Sequence, residues 1–193
     1  MPYDLNERIR CKELLGKVTS VEAAVSFLQD GMTVGVGSDV VPFCQELARQ
    51  EKEGRRLQIQ LWSGVAFLHA DRHLGKLGAI KRRIGQQTML KGPINTGQVE
   101  YLDTPLGFFY QSIRSGELGA LDLAVVEAVA ITPEGNLIPA YRLHDMPNFV
   151  QAADRVIVQL SACYPVAFEG MHDVYLPPNP PRAKPIPIWR VDD

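Results

Sequence analysis

The apolar positions of the chain fall into short blocks whose period switches between helical and strand-like. Residues 5–15 carry Leu5, Ile9, Leu14 and Leu15 among charges, the spacing of an amphipathic helix that Gly16 would stop. Thr19-Ser20-Val21-Glu22 has the spacing of a capping box, with the Thr19 hydroxyl placed to open a helix that Gly31 ends. Met32-Thr33-Val34-Gly35-Val36 then reads as a buried strand closed by Gly37-Ser38, and residues 42–52 as a helix with Pro42 in its first turn. The same alternation continues. Strands are expected over 57–62, 98–102, 121–131 and 155–160, with helices near 67–74, 105–114 and 147–153. Strands that are apolar on both faces and alternate with helices predict an α/β fold, its mainly parallel sheet covered by helices on both sides.

Composition narrows this picture. The 193 residues are 46% hydrophobic and 22% charged, the make-up of a globular chain able to bury its own core. A net charge of −2 supplies no global field for nucleic acid or an anionic surface, so neither partner is expected. The most apolar block, residues 121–131, is about half the length of a membrane span and contains Asp122 and Glu127, so no membrane partner is expected. Residues 1–8 hold no signal-peptide core, which points to the cytoplasm. The three cysteines, Cys11, Cys44 and Cys163, lie far apart with no metal-ligand spacing, and free thiols are expected. After residue 176 the prolines crowd together. Pro177, Pro178, Pro180, Pro181, Pro185 and Pro187 lack ladder donors, so residues 177–193 are expected to form an extended strap outside the sheet. Pro177-Pro178-Asn179-Pro180-Pro181 also has the form of a PxxP ligand, without a basic anchor array around it.

Several residue groups could carry chemistry. Gly35-Val36-Gly37-Ser38 ends a strand before a helix, where backbone could approach a ligand oxygen; the third glycine of a dinucleotide loop is missing and no Gly-Lys-Ser/Thr follows. Asn95-Thr96-Gly97 precedes a strand, a pattern that turn chemistry explains equally well. Glu127 sits in an apolar strand where an unpaired charge is costly, so it either faces a cleft at the strand end or is paired. His69 and His73 share a helical face but lack further ligands, and Lys81-Arg82-Arg83 reads as a solvated edge that could alternatively meet a phosphate. His172 and Asp173 are neighbours on an extended stretch and point apart, which argues against a direct relay. No G-x-S-x-G elbow is present.

A family resemblance joins these segments. The stretch from Lys17-Val18-Thr19-Ser20-Val21-Glu22 to Gly31-Met32-Thr33-Val34-Gly35, then Ile94-Asn95-Thr96-Gly97-Gln98-Val99-Glu100-Tyr101-Leu102-Asp103, then Leu121-Asp122-Leu123-Ala124-Val125-Val126-Glu127, resemble in order the amino-terminal half of the acetyl-CoA hydrolase/transferase family. So do Ala152-Ala153-Asp154-Arg155-Val156-Ile157-Val158 and the ending Gly170-Met171-His172-Asp173-Val174-Tyr175 with Pro180-Pro181-Arg182 and Pro185-Ile186-Pro187-Ile188. The resemblance implies a NagB/RpiA/CoA-transferase-like fold, with residues 1–176 as the amino-terminal domain and 177–193 leading toward a second, catalytic half. It also implies nucleophilic catalysis in two half-reactions, in which a glutamate of that second half attacks an acyl-CoA thioester. No catalytic residue is therefore assigned here, and the chain alone is expected to be inactive. The substrate-binding candidates are Gly35, Gly37, Ser38, Asn95, Gly97, Glu127 and His172. A coenzyme A thioester enters as substrate with no permanently bound cofactor or metal. The expected partners are a carboxy-terminal half or second subunit, acyl-CoA and small carboxylates, within an oligomer.

Three departures from the family pattern stand out: a shortened loop at Gly37-Ser38-Asp39-Val40-Val41-Pro42 without lysine, Asp103-Thr104 where a histidine commonly follows the acid, and Gln159-Leu160-Ser161 where Glu-Val-Asn is common. They point to altered substrate choice or to the alternative reading, a non-catalytic acyl-CoA or carboxylate-binding scaffold subunit. A sugar-phosphate isomerase on the same broad fold rests on analogy alone and lacks a phosphate loop.

Overall fold

The computed structural model describes residues 4–187 apart from 39, 65–67 and 87, and omits the side chains of Leu68, His69 and Lys76. The expected amino-terminal helix is broken in two, α1 (Leu5–Arg8) and α2 (Lys12–Leu15). The break is tertiary: Ile9 is buried and bridges to Ile131, whose carbonyl accepts from the Arg10 N–H at 3.0 Å. Helix α3 (Val21–Ser26) is capped by Ser20 rather than Thr19, the Ser20 hydroxyl accepting from the Ala23 N–H at 3.3 Å.

Strands β1 (Thr33–Val36), β2 (Ile59–Trp62), β3 (Ile80–Ile84), β4 (Glu100–Leu102), β5 (Leu121–Ile131), β6 (Leu137–Pro139) and β7 (Ala153–Leu160) form one sheet. Its order is β4-β3-β2-β1-β5-β6, with β7 paired to β5; every pairing is parallel except that of β5 with β6. Helices α4 (Val41–Lys52), α5 (Leu68–Leu74), α6 (Lys91–Asn95), α7 (Leu106–Ser115) and α8 (Met146–Ala152) connect the strands. The expected α/β architecture is thus the observed one. One core joins α3, α4 and α5 to Val34, Val36, Ile59, Leu61, Leu123 and Val125. The other joins α7 and α8 to Trp62, Ile84, Ala124 and Val126 on the opposite face.

Strand β3 corrects the sequence reading. Lys81-Arg82-Arg83, taken as a solvated edge, lies within this interior strand, and Arg83 is wholly buried. Its Nε donates to Asp71 Oδ1 at 3.2 Å, and its Nη1 donates to the carbonyls of Ser63, at 2.9 Å, and Ile84. Asp71 Oδ2 accepts from Thr88 Oγ1 and the Met89 N–H at 2.6 and 2.9 Å. A charge at this position is tolerable because every side of the pair carries a hydrogen bond. Lys81 and Arg82 are exposed, and Arg82 meets Glu100 at 2.7 Å.

The long helix α4 carries a surface network in which Arg49 bonds Glu46 at 2.7 Å and Glu53 at 2.6 Å. Hydrogen bonds from Arg49 and Gln50 hold the Glu46 carboxyl down at about 2. A folded-state value below the unfolded one makes this contribution fully present above pH 4.5, and acid titration through about 2 removes it. Glu46→Gln is therefore expected to flatten the acid limb of the stability curve between those limits, measured by thermal unfolding across pH. An unchanged limb would show the network to be unimportant.

Among the described residues no strand follows Leu160. Asn179 of this segment is tied to the domain: Arg114 Nε donates to Asn179 Oδ1 at 3.0 Å and its Nη1 to Asn148 Oδ1 at 2.7 Å.

Candidate functional site

The strand order places a switch point between β1 and β5. From β1 the chain winds outward through β2, β3 and β4, then returns to β1's other side as β5, and α4 and α7 lie on opposite faces. A crevice opens at the carboxyl end of such a pair, the usual ligand position in open α/β sheets. Val36 pairs with Val125, and the Gly37 N–H donates to the Val125 carbonyl at 3.0 Å. The same register carried two residues on sets Ser38 level with Glu127, which pairs in turn with Gln159 of β7. Glu127 and Gln159 thus pair across β5 and β7, and Ser38, two residues past the end of β1, follows at the same level.

Two of these groups have buried, unused hydrogen-bonding capacity. Ser38 is fully buried and its Oγ has no hydrogen-bond partner, and Gln159 Oε1 is likewise buried without one. Glu127 is half-buried, as is Asp122, in a strand whose other residues are all buried. The Ser38 hydroxyl can donate to a ligand oxygen, whereas Gln159 Oε1 and the Glu127 carboxylate accept, so the group suits a polar ligand that presents both an acceptor oxygen and N–H or O–H donors; the unpaired Ser38 and Gln159 atoms each carry a desolvation cost that a ligand bond would relieve.

Asp145, at the amino end of α8, braces this rim. It is fully buried, and accepts from the Gly64 N–H at 2.7 Å and from the Tyr110 hydroxyl at 2.8 Å. Burial, and then the Asp145 charge, push the Tyr110 phenol far above its usual range, so it stays a neutral donor. Next to Asp145, the exposed His144 has φ of 31°, in the left-handed region that non-glycine residues seldom adopt. Nothing in the sequence pattern singled out His144 or Asp145. Gln159 had been noted only as a departure from the family pattern.

The sequence candidates separate spatially. Gly37, Ser38 and Glu127 meet at the switch point. His172 lies at the same end of the sheet, beyond β7; its ring tilts against Phe168 at 6.1 Å, and its buried Nδ1 has no hydrogen-bond partner. Phe168 in turn packs on Val129, Ala130, Ile138 and Ala140. Gly35 lies inside β1, where a Cβ would stand 2.9 Å from the Phe149 ring, and a Cβ on Gly37 would stand 3.0 Å from Met146 Cα. Close approach of α8 therefore requires glycine at both positions, a packing reason independent of any ligand. Asn95 and Gly97 are not brought to this crevice. They are exposed at the end of α6 before β4 begins, on the opposite rim, and Gly97 at φ 72° closes the helix by donating to the Ile94 carbonyl at 3.0 Å. His69 lies outside the described side chains, so its pairing with His73 is not described. Among the described residues no group of three or more His, Cys, Asp or Glu could hold a metal ion, and no helix is long and apolar enough to cross a membrane.

This mostly parallel sheet covered by helices is the α/β fold of CoA-transferases. Glutaconate coenzyme A-transferase from Acidaminococcus fermentans superposes with a TM-score of 0.56 at 14% identity, over 74% of this chain and 68% of that one. RipA from Yersinia pestis superposes at 0.59 and 17% identity, over 81% of this chain and 37% of that one. The acetyl-CoA hydrolase/transferase N-terminal domain profile matches residues 3–192, and the chain belongs to that family. It is 35% identical to the succinyl-CoA:acetate CoA-transferase of Clostridium kluyveri over 94% of its length, and 33% identical to the acetyl-CoA hydrolase of Schizosaccharomyces pombe over all of it. The chain spans only 36% and 40% of those two relatives and corresponds to the amino-terminal portion of the family.

Proposed function

We propose that this chain forms one wall of an acyl-CoA and carboxylate site whose nucleophilic glutamate comes from a carboxy-terminal half. The observation that carries the reading is the match of the amino-terminal family domain to residues 3–192, in a chain spanning 36–40% of its relatives. The Ser38 hydroxyl donates to a carboxylate or thioester oxygen at the switch point, Gln159 Oε1 and the Glu127 carboxylate accept from N–H or O–H groups of the ligand, and Asp145 holds the rim rigid. His172 borders the same end of the sheet. A coenzyme A thioester is the substrate, small carboxylates are the acceptors, and residues 177–193 lead toward the second half.

The purified chain is expected to show no turnover of acetyl-CoA. Co-expressed with the carboxy-terminal segment of the Clostridium relative, it is expected to transfer coenzyme A to acetate or succinate. Turnover by the chain alone, or none in a stable complex, would overturn the reading. One observation favours the alternative of a non-catalytic binding subunit: Gly35 and Gly37 are occupied by α8 packing. Calorimetric binding of acetyl-CoA by a stable complex that turns nothing over would select that alternative.

A further inference from the structure

Strand β7 is an edge strand of the sheet, flanking the amino-terminal part of β5. Among the described residues it pairs with β5 alone, from Ala153 to Gln159, and its other edge runs Ala-Asp-Arg-Val-Ile-Val-Gln-Leu with Asp154, Arg155 and Val156 exposed. Globular proteins normally blunt such an edge, because a long apolar strand with open N–H and C=O groups recruits another chain. Beside it lies an apolar groove of about 810 Å³ between β7 and the segment from α1 to α3. Around it the apolar side chains of Val18, Phe27 and Leu5 are exposed, at 46%, 47% and 37%. The groove reaches the switch point through Gln159, whose buried Oε1 lacks a partner.

The charges on the groove identify its occupant. Its charged lining residues are Lys17 and Arg155, both cationic, and Arg155 lies over the Phe27 ring at 5.8 Å. A second copy docking through the same patch about a two-fold axis would bring these cations toward their equivalents, which disfavours self-association. An apolar segment flanked by acidic side chains fits both the groove and its rim. We infer that the β7 edge and this groove are the docking surface for such a segment of the family's carboxy-terminal half, which would continue the sheet or cover it beside the Ser38–Glu127–Gln159 group. The inference rests on the paired-site reading and adds the place of contact.

The test is co-purification of this chain with the carboxy-terminal segment of the Clostridium relative, followed by hydrogen–deuterium exchange of the complex against the chain alone. Protection of residues 153–160 and 17–27, with association weakened at least tenfold by Arg155→Glu and by Lys17→Glu, is the expected result. Both residues are solvent-facing at the groove, and circular dichroism checks that the variants fold. Phe27→Glu provides a second variant that leaves the strand intact. Association that protects other surfaces and ignores these substitutions would overturn the docking surface while leaving the paired-site reading standing. A dimer of the chain alone in sedimentation, broken by Phe27→Glu, would overturn it in favour of a second copy. Failure of the two polypeptides to associate at all would overturn the paired-site reading, and the docking surface with it.

Discussion

Asp71→Ala is expected to lower the unfolding free energy by about 3–5 kcal/mol, the cost of leaving a buried charge without its partner. Arg83 is wholly buried beneath the carboxyl ends of β2 and β3, and its guanidinium would lose Asp71 while keeping the Ser63 and Ile84 carbonyls. Thr88 Oγ1 and the Met89 N–H would lose their acceptor in the same step, so the loop after β3 would loosen as well. The double variant Asp71→Leu/Arg83→Met is expected to lose far less than the sum of the single changes, because removing both charges also removes the desolvation cost. Urea unfolding of the unaltered protein, Asp71→Leu, Arg83→Met and the double variant closes the cycle. A cost below about 1 kcal/mol for Asp71→Ala, in the range of exposed pairs, would show that the pair is solvated.

Asp145→Ala is expected to cost about 3 kcal/mol, since the Gly64 N–H and the Tyr110 hydroxyl would both be left buried without an acceptor. Tyr110→Phe removes one donor together with its need for an acceptor, and is expected to cost only about 1 kcal/mol. The two losses differ in kind. Asp145 holds the end of β2 to the start of α8, so its removal should also speed exchange at Gly64 and Met146, whereas Tyr110→Phe should leave those amides protected. Equal costs for the two variants, with unchanged exchange at Gly64, would overturn the bracing role of Asp145.

Much of the sheet was legible because its strands are apolar on both faces. The expected strand at 121–131 coincides with β5, whose run of small and β-branched residues is covered by the cores on either side. Elements lacking that contrast were missed. The short helix over Lys91–Asn95 contains Gly and Pro, and Leu137–Pro139 is three residues long and becomes a strand only by pairing with β5. In β3 three consecutive basic residues masked an interior strand, since burial of Arg83 depends on Asp71, twelve positions earlier, arriving from α5. The break after Arg8 has the same origin, an Ile9 claimed by the end of β5.

The chain's membership of an amino-terminal α/β family was contained in the sequence alone, because periodicity and motif order are local properties that survive without coordinates. Gly37, Ser38 and Glu127 were legible as candidates for a similar reason: two glycines at a strand end and a charge in an apolar strand are anomalies along the chain itself. Their meeting was not. Only the pairing of β1 and β5, 89 residues apart in register, sets Ser38 beside Glu127 and adds Gln159. The same topology sends Asn95 and Gly97 to the opposite rim, because a turn that precedes a parallel strand lies at the other end of the sheet from one that follows it.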